Sequence, residues 1–229
     1  MMRKRALITG SGRSGTTFIS TVMNALGYDM RHEGHGPVVE GRQGEGIACW
    51  YCCMLLEPNV AHNGNVTRCV CRFPDFKISY RGEPDTKGPV APINAYFDLV
   101  LHQMRSPLDV IGSLLTLTRG SWDFVDNKIG IYHLDDPVLR ATRYWIEWNN
   151  HAAEIADYSY RLEDIGGELP AICDMIGLEY DEAIARDSLN NPRVNARKHP
   201  SVTAVDIKSR DAHLFRQLEE TAASFGYRL

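Results

Sequence analysis

No stretch of this chain stays apolar for long. The longest run of apolar letters, residues 47–56, covers ten residues, whereas a membrane-spanning helix needs ~20. No membrane span is therefore expected. Positive charge is not in excess either: 25 basic residues stand against 29 acidic, a formal net charge of −4. Proteins that live on nucleic acid carry a basic face for its phosphates, so nucleic acid is not an expected partner. Internal repeats, linker tracts and low-complexity segments are missing as well. The 229 residues, 1–229, read as one domain. The opening Met1-Met2-Arg3-Lys4-Arg5 has the charge of a leader peptide, but Thr9-Gly10-Ser11 interrupts the apolar stretch after three residues. A cytoplasmic location is expected, and there the six cysteines stay reduced or bind metal before they form disulfides.

What the chain does have is an alternation of short apolar runs and helical periodicities. Residues 5–9 form a β-type run that ends in glycines, and residues 14–26 carry Phe18, Val22, Ala25 and Leu26 at helical spacing. The glycine-rich residues 34–46 read as loop, 47–56 as a buried helix, and 66–72 and 97–104 as strands, the second continuous enough for a central parallel strand. Ser106-Pro107 opens another helix, with serine as cap and proline in the first position. Residues 118–135 show little periodicity. Asp136-Pro137 starts a long helix, residues 157–162 a strand, and the remainder is helical except for 190–202. Strands alternating with helices predict an α/β fold, a three-layer α/β/α arrangement around a central parallel sheet.

The most informative stretch is Gly10-Ser11-Gly12-Arg13-Ser14-Gly15-Thr16-Thr17. Glycines let backbone amides turn inward, and the loop feeds a helix whose N-terminus favours anions. Gly10 and Gly15 match the glycines of the Walker A pattern, but Thr16 stands where its lysine belongs. The cation sits inside the loop instead, at Arg13. The later strand ends in Met104-Arg105 and offers no aspartate for magnesium. Arg105, ahead of a helix, marks a second anion site. Two such sites suit a nucleotide with groups at both ends of its ribose, and no metal is expected. A glycine turn that binds nothing is the plainer alternative.

Arg13-Ser14-Gly15-Thr16-Thr17-Phe18 resembles the 5′-phosphosulfate loop of the sulfotransferase family. Arg105-Ser106-Pro107, with Ser113 eight residues after the arginine, resembles its 3′-phosphate site. Tyr160-Arg161-Leu162-Glu163-Asp164 and Asn195-Ala196-Arg197-Lys198 are similar to its tyrosine-bearing strand end and to a late basic loop of the bacterial branch. The resemblance implies a fold like that of the P-loop nucleoside triphosphatases and kinases. It implies 3′-phosphoadenosine 5′-phosphosulfate (PAPS) as donor, with 3′,5′-adenosine bisphosphate as product. Arg13, Ser14, Gly15, Thr16, Thr17, Arg105, Ser113, Tyr160, Arg197 and Lys198 would then hold the nucleotide, Arg13 also serving the chemistry. Phe18 replaces the family's frequent tryptophan, Ser106 replaces an acidic residue, and the arginine-lysine-glycine close of the steroid and phenol enzymes is missing. These departures argue against a hormone-type acceptor and leave a small molecule, glycan or lipid open.

The chemistry also needs a base. In the branch resembling this chain a glutamate tends to follow the first helix, so Glu33 in His32-Glu33-Gly34-His35 is the first choice, with His35 and His32 as alternatives. A solvated polar turn is the competing reading. Cys49, Cys52, Cys53, Cys69 and Cys71 supply one C-x-x-C and one C-x-C, which read as packed thiols before they read as a zinc site. Trp122, Phe124 and Tyr132 form either an acceptor wall or core beneath a long insertion. A small P-loop kinase of a nucleoside or metabolite, and a non-catalytic nucleotide-binding module, are the rival functions.

Overall fold

The computed structural model describes residues 2–32, 45–50, 97–190 and 198–229. Five strands form one all-parallel sheet: β1 (Ala6–Thr9), β2 (Met30–His32), β3 (Gly46–Ala48), β4 (Leu99–Met104) and β5 (Tyr158–Arg161), in the order β2-β3-β1-β4-β5. The register aligns Leu7 with both Ile47 and Val100, and Thr9 with His102. The helices are α1 (Thr16–Ala25), α2 (Pro107–Leu114), α3 (Arg119–Ile129), α4 (Pro137–Ile155), α5 (Ile165–Ile176), α6 (Glu182–Leu189), α7 (Ala204–Arg210) and α8 (Ala212–Ser224). The expected α/β architecture with a central parallel sheet is present.

Alternation along the strands sends apolar side chains to both faces, so two separate cores form. Ala6, Ile8, Leu99 and Leu101 pack with α1, α5 and α6. The second core gathers α2, α3, α4, α7 and α8 around Tyr144, Trp145 and Trp148, which are fully buried. Truncating an indole in such a place typically costs ~3–5 kcal/mol. Asp136 fixes the start of α4, its carboxylate accepting from the amides of Val138 (2.8 Å) and Leu139 (3.3 Å), with Pro137 next in line. Among the described residues no helix is long and apolar enough to cross a membrane.

One sequence expectation needs correction, and two elements were not read from the sequence. Residues 46–48 are strand, not the end of a glycine-rich loop followed by the start of a buried helix. Ile47 is sandwiched between Leu7 and Arg31 of neighbouring strands, and a short apolar run carries no period that would separate the two possibilities. Residues 119–129 are helix, held by Trp122, Val125 and Ile129 turned towards the second core. Met30–His32 is an edge strand that its sequence gave no reason to expect. The expected strand at 66–72 lies outside the described residues.

Connections run from β1 to β2 on one side of the sheet and from β4 to β5 on the other. β1 and β4 are neighbours, so the direction reverses between them. In open parallel sheets, ligands bind beyond the carboxyl ends of the strands at such a reversal. The glycine loop after β1 and Arg105 after β4 both lie there.

Candidate functional site

The loop begins against β4. A Cβ on Gly10 would fall 2.1 Å from the carbonyl oxygen of Gln103, so only glycine lets the chain pass there. The Gly12 amide donates to the hydroxyl of Tyr144 at 2.6 Å, and the Ser14 amide donates to the Ser11 carbonyl at 3.1 Å. Arg13 adopts φ 71°, the only non-glycine residue with positive φ among those described, and Gly15 follows at φ 97° as the N-cap of α1. Left-handed backbone costs an L-residue ~1 kcal/mol or more. Such alternation is how successive amides come to face a common point.

Beneath the loop lies a polar brace. Tyr160 of β5 donates its hydroxyl to Gln103 Oε1 (2.8 Å), and Gln103 Nε2 donates to the Ser14 carbonyl (2.7 Å). Tyr160 is only 2% exposed, and burial drives its phenol well above the usual range. The structure thus places Tyr160 under the loop, in a bracing position. The hydroxyls of Ser11 and Ser14 are fully buried and have no partner among the described residues. A buried hydroxyl without a partner loses its hydration for nothing, unless a ligand supplies the missing contact.

At the mouth of α1, His32 Nε2 lies 3.1 Å from Thr16 Oγ1 and 3.0 Å from Thr17 Oγ1. A helix places both hydroxyls on its first turn, and β2 brings the imidazole to them. Of the three suggested bases, His32 is therefore located at the loop. Glu33 and His35 lie outside the described residues.

The second cradle stands at the end of β4. Arg105 is about a third exposed (32%) and sits 3.8 Å from Asp109 of α2. Ser106 is the N-cap of α2 as expected, but its side chain makes no capping bond. Its amide donates instead to Glu163 Oε1 at 2.7 Å. Ser113 is buried on the last turn of α2. One residue earlier, a Cβ on Gly112 would meet the Pro200 carbonyl at 2.3 Å, so the segment that follows exposed Lys198 packs directly on α2 at Gly112. Arg197 lies outside the described residues.

Other candidates separate. Trp122 belongs to the core and lies edge-on to Tyr144 at 6.0 Å. Tyr132 is partly exposed beneath the guanidinium of Arg140, 5.2 Å from its ring. The Phe124 side chain lies outside the described set. Cys49 is buried after β3, while Cys52, Cys53, Cys69 and Cys71 lie outside the described residues. No group of three or more His, Cys, Asp or Glu among the described residues is placed to hold a metal.

Sequence reading missed Gln103 and Tyr144. Gln103 had a signal: an amide beside His102 in an otherwise apolar central strand needs an internal partner. Tyr144 had none, being one aromatic among several on the buried stripe of α4. The chain matches no protein-family model and no curated protein, so the functional reading rests on these residues.

Proposed function

We propose that this protein is a sulfotransferase, moving a sulfuryl group from PAPS to an acceptor hydroxyl or amine on a small molecule, glycan or lipid. The observation that carries this reading is the first loop. It combines a cation within the loop, a left-handed turn at Arg13 and Gly15, and two buried loop hydroxyls, Ser11 and Ser14, that have no partner among the described residues. In a Walker loop the hydroxyl at the position of Thr17 would sit on magnesium; here it shares an imidazole with Thr16. This favours a sulfuryl donor over a nucleoside triphosphate.

PAPS, when bound, supplies an activated sulfuryl group and a bisphosphate leaving group. The loop residues fit its 5′ end: Ser11 and Ser14 have hydrogen bonds to give, and the α1 head favours negative charge. Arg13 brings a planar, permanently charged fork to the same place. Such groups contribute most where charge grows in the transition state, because they are already oriented when it does. Arg105 and Ser113 hold the 3′ end, with Lys198 on the segment that packs against α2 at Gly112. The base is Glu33, with His32 and His35 as alternatives. His32 in its neutral form takes a proton through one ring nitrogen while a threonine hydroxyl orients it.

Thermal unfolding of the full chain with 3′,5′-adenosine bisphosphate, 5′-AMP, or ATP with magnesium tests the reading. A ligand at a hundred times its Kd stabilises by ~2.7 kcal/mol. The bisphosphate should raise Tm most; a response to ATP and magnesium alone would favour a kinase. Turnover by Glu33→Gln, His32→Asn and His35→Asn assigns the base, whose loss should lower kcat by ~10²–10⁴-fold with bisphosphate binding retained.

A further inference from the structure

The head of α2, where the second anion is to be held, already has a negative group on it. Glu163 lies in the single helical turn after β5 (Leu162–Asp164) and reaches across to the neighbouring strand end. One of its oxygens accepts the Ser106 amide at 2.7 Å; the other accepts the Tyr227 hydroxyl at 2.8 Å. Tyr227 follows α8 and is held from behind. The Arg161 guanidinium lies 5.5 Å from its ring and donates to the Gly226 carbonyl at 2.8 Å, while Asp164 occupies Arg161 Nε at 2.6 Å. Burial and the Glu163 carboxylate together hold the Tyr227 phenol above its ordinary range, so it stays protonated and donates. Arg105, one residue away from the amide, has among the described residues only the loose 3.8 Å contact with Asp109.

The amide and the cation of this cradle are therefore satisfied separately, by two different carboxylates. A phosphate has enough oxygens to take both at once, but it cannot share the Ser106 amide with Glu163, and like charges at this range repel. A 3′-hydroxyl has no such conflict.

We infer that Glu163 is a built-in competitor for the 3′-phosphate, one that must leave the Ser106 amide before that group seats, and that Tyr227 sets how readily it leaves. Glu163 is thus a specificity-determining residue, tempering the preference for a 3′-phosphate over a 3′-hydroxyl. Its exposure gives it water to swing into. This rests on the nucleotide reading of the site proposed above.

Calorimetric titration of the full chain with 3′,5′-adenosine bisphosphate and with 5′-AMP, at one ionic strength, tests it. Glu163→Gln removes the charge while its carbonyl still accepts the Ser106 amide, and the Tyr227 hydroxyl can turn to accept from the new amide nitrogen. It should tighten the bisphosphate roughly tenfold and leave 5′-AMP within about twofold. Tyr227→Phe loosens the carboxylate without removing it, so it should act in the same direction by about two- to threefold. It also serves as the measurement if the glutamine variant fails to fold. Equal changes for the two nucleotides, no change, or weaker bisphosphate binding in the variants overturns the inference while the wild-type affinities leave the nucleotide reading standing. If neither nucleotide binds any of the three proteins, both fall.

Discussion

At the end of β1 each turn of the loop is fixed by something buried: Gly10 against the Gln103 carbonyl, Gly12 on Tyr144, and Ser14 on the Gln103 amide with Tyr160 behind it. At the end of β4, a few ångströms along the same sheet edge, the contacts are carboxylates at the surface: Asp109 on Arg105 and Glu163 on the Ser106 amide. The first cradle is shaped by packing, and its geometry cannot change without disturbing the core. The second is shaped by charge, in water, where pairs are weak and exchangeable. Substitutions of the packed groups at the first should therefore register as stability, and those of the charged groups, Arg13 in the first loop included, as affinity.

The largest effect should come from Gly10→Ala. The added methyl meets a backbone oxygen rather than a flexible side chain, so a strand end or the loop must shift, at a cost of ~3 kcal/mol or more. Chemical denaturation should show a lower midpoint with an unchanged slope. A stable, binding-competent Gly10→Ala protein would show that the loop is softer than its contacts imply.

Acid should attack the packed region next. His102 sits opposite Thr9 in the sheet, buried, 3.1 Å from Asn149 Oδ1 and 3.3 Å from Ser159 Oγ. Burial lowers its pKa to about 4. The unfolded chain, with an ordinary imidazole near ~6.5, binds the proton more readily than the fold between those values. Stability is then fully present above ~pH 6.5 and declines as pH falls towards about 4, by up to ~3 kcal/mol. Replacing His102 by Gln should flatten that part of the pH–stability curve, whatever it does to stability at neutral pH.

A smaller loss is expected for Gln103→Leu, which removes the acceptor of Tyr160 and the donor to Ser14 together. Leaving those groups buried and unpaired should cost ~2 kcal/mol. Tyr160→Phe should cost less, and the double variant should fall well short of the sum, since both break one chain of bonds.

The arginines sharpen the contrast with the smallest stability changes. Arg13→Gly relieves a left-handed residue but adds chain entropy to the unfolded state, two backbone effects that offset each other to within ~1 kcal/mol. Bisphosphate affinity should nevertheless drop roughly tenfold or more. Arg105→Ala gives up only a surface pair worth ~0–1 kcal/mol. It should weaken the bisphosphate by about tenfold and spare 5′-AMP. Equal losses for both nucleotides would remove Arg105 from the 3′ cradle.

Much of this was legible from the residues alone. The loop, its helix, the central strand and the Asp136-Pro137 start follow from local rules, where glycine, proline and apolar spacing act within a few residues of themselves. Three residues of edge strand at Met30–His32 were not legible. So short a segment takes its conformation from the β3 neighbour it pairs with. The helix at Arg119–Ile129 was obscured by a polar sequence whose Trp122, Val125 and Ile129 acquire meaning only against the second core.

The sequence by itself determined that a glycine loop with an internal arginine precedes a helix, and that a second arginine precedes another. Those are properties of contiguous residues, set by φ preferences and by amides that a helix start leaves without carbonyls. Tertiary structure alone decided that His32 meets Thr16 and Thr17, that Tyr144 holds an amide 132 residues away at Gly12, and that Glu163 sits on Ser106. Such contacts depend on which strands become neighbours. That order is chosen by burying both faces of the whole sheet, a sum over the chain that no local pattern contains.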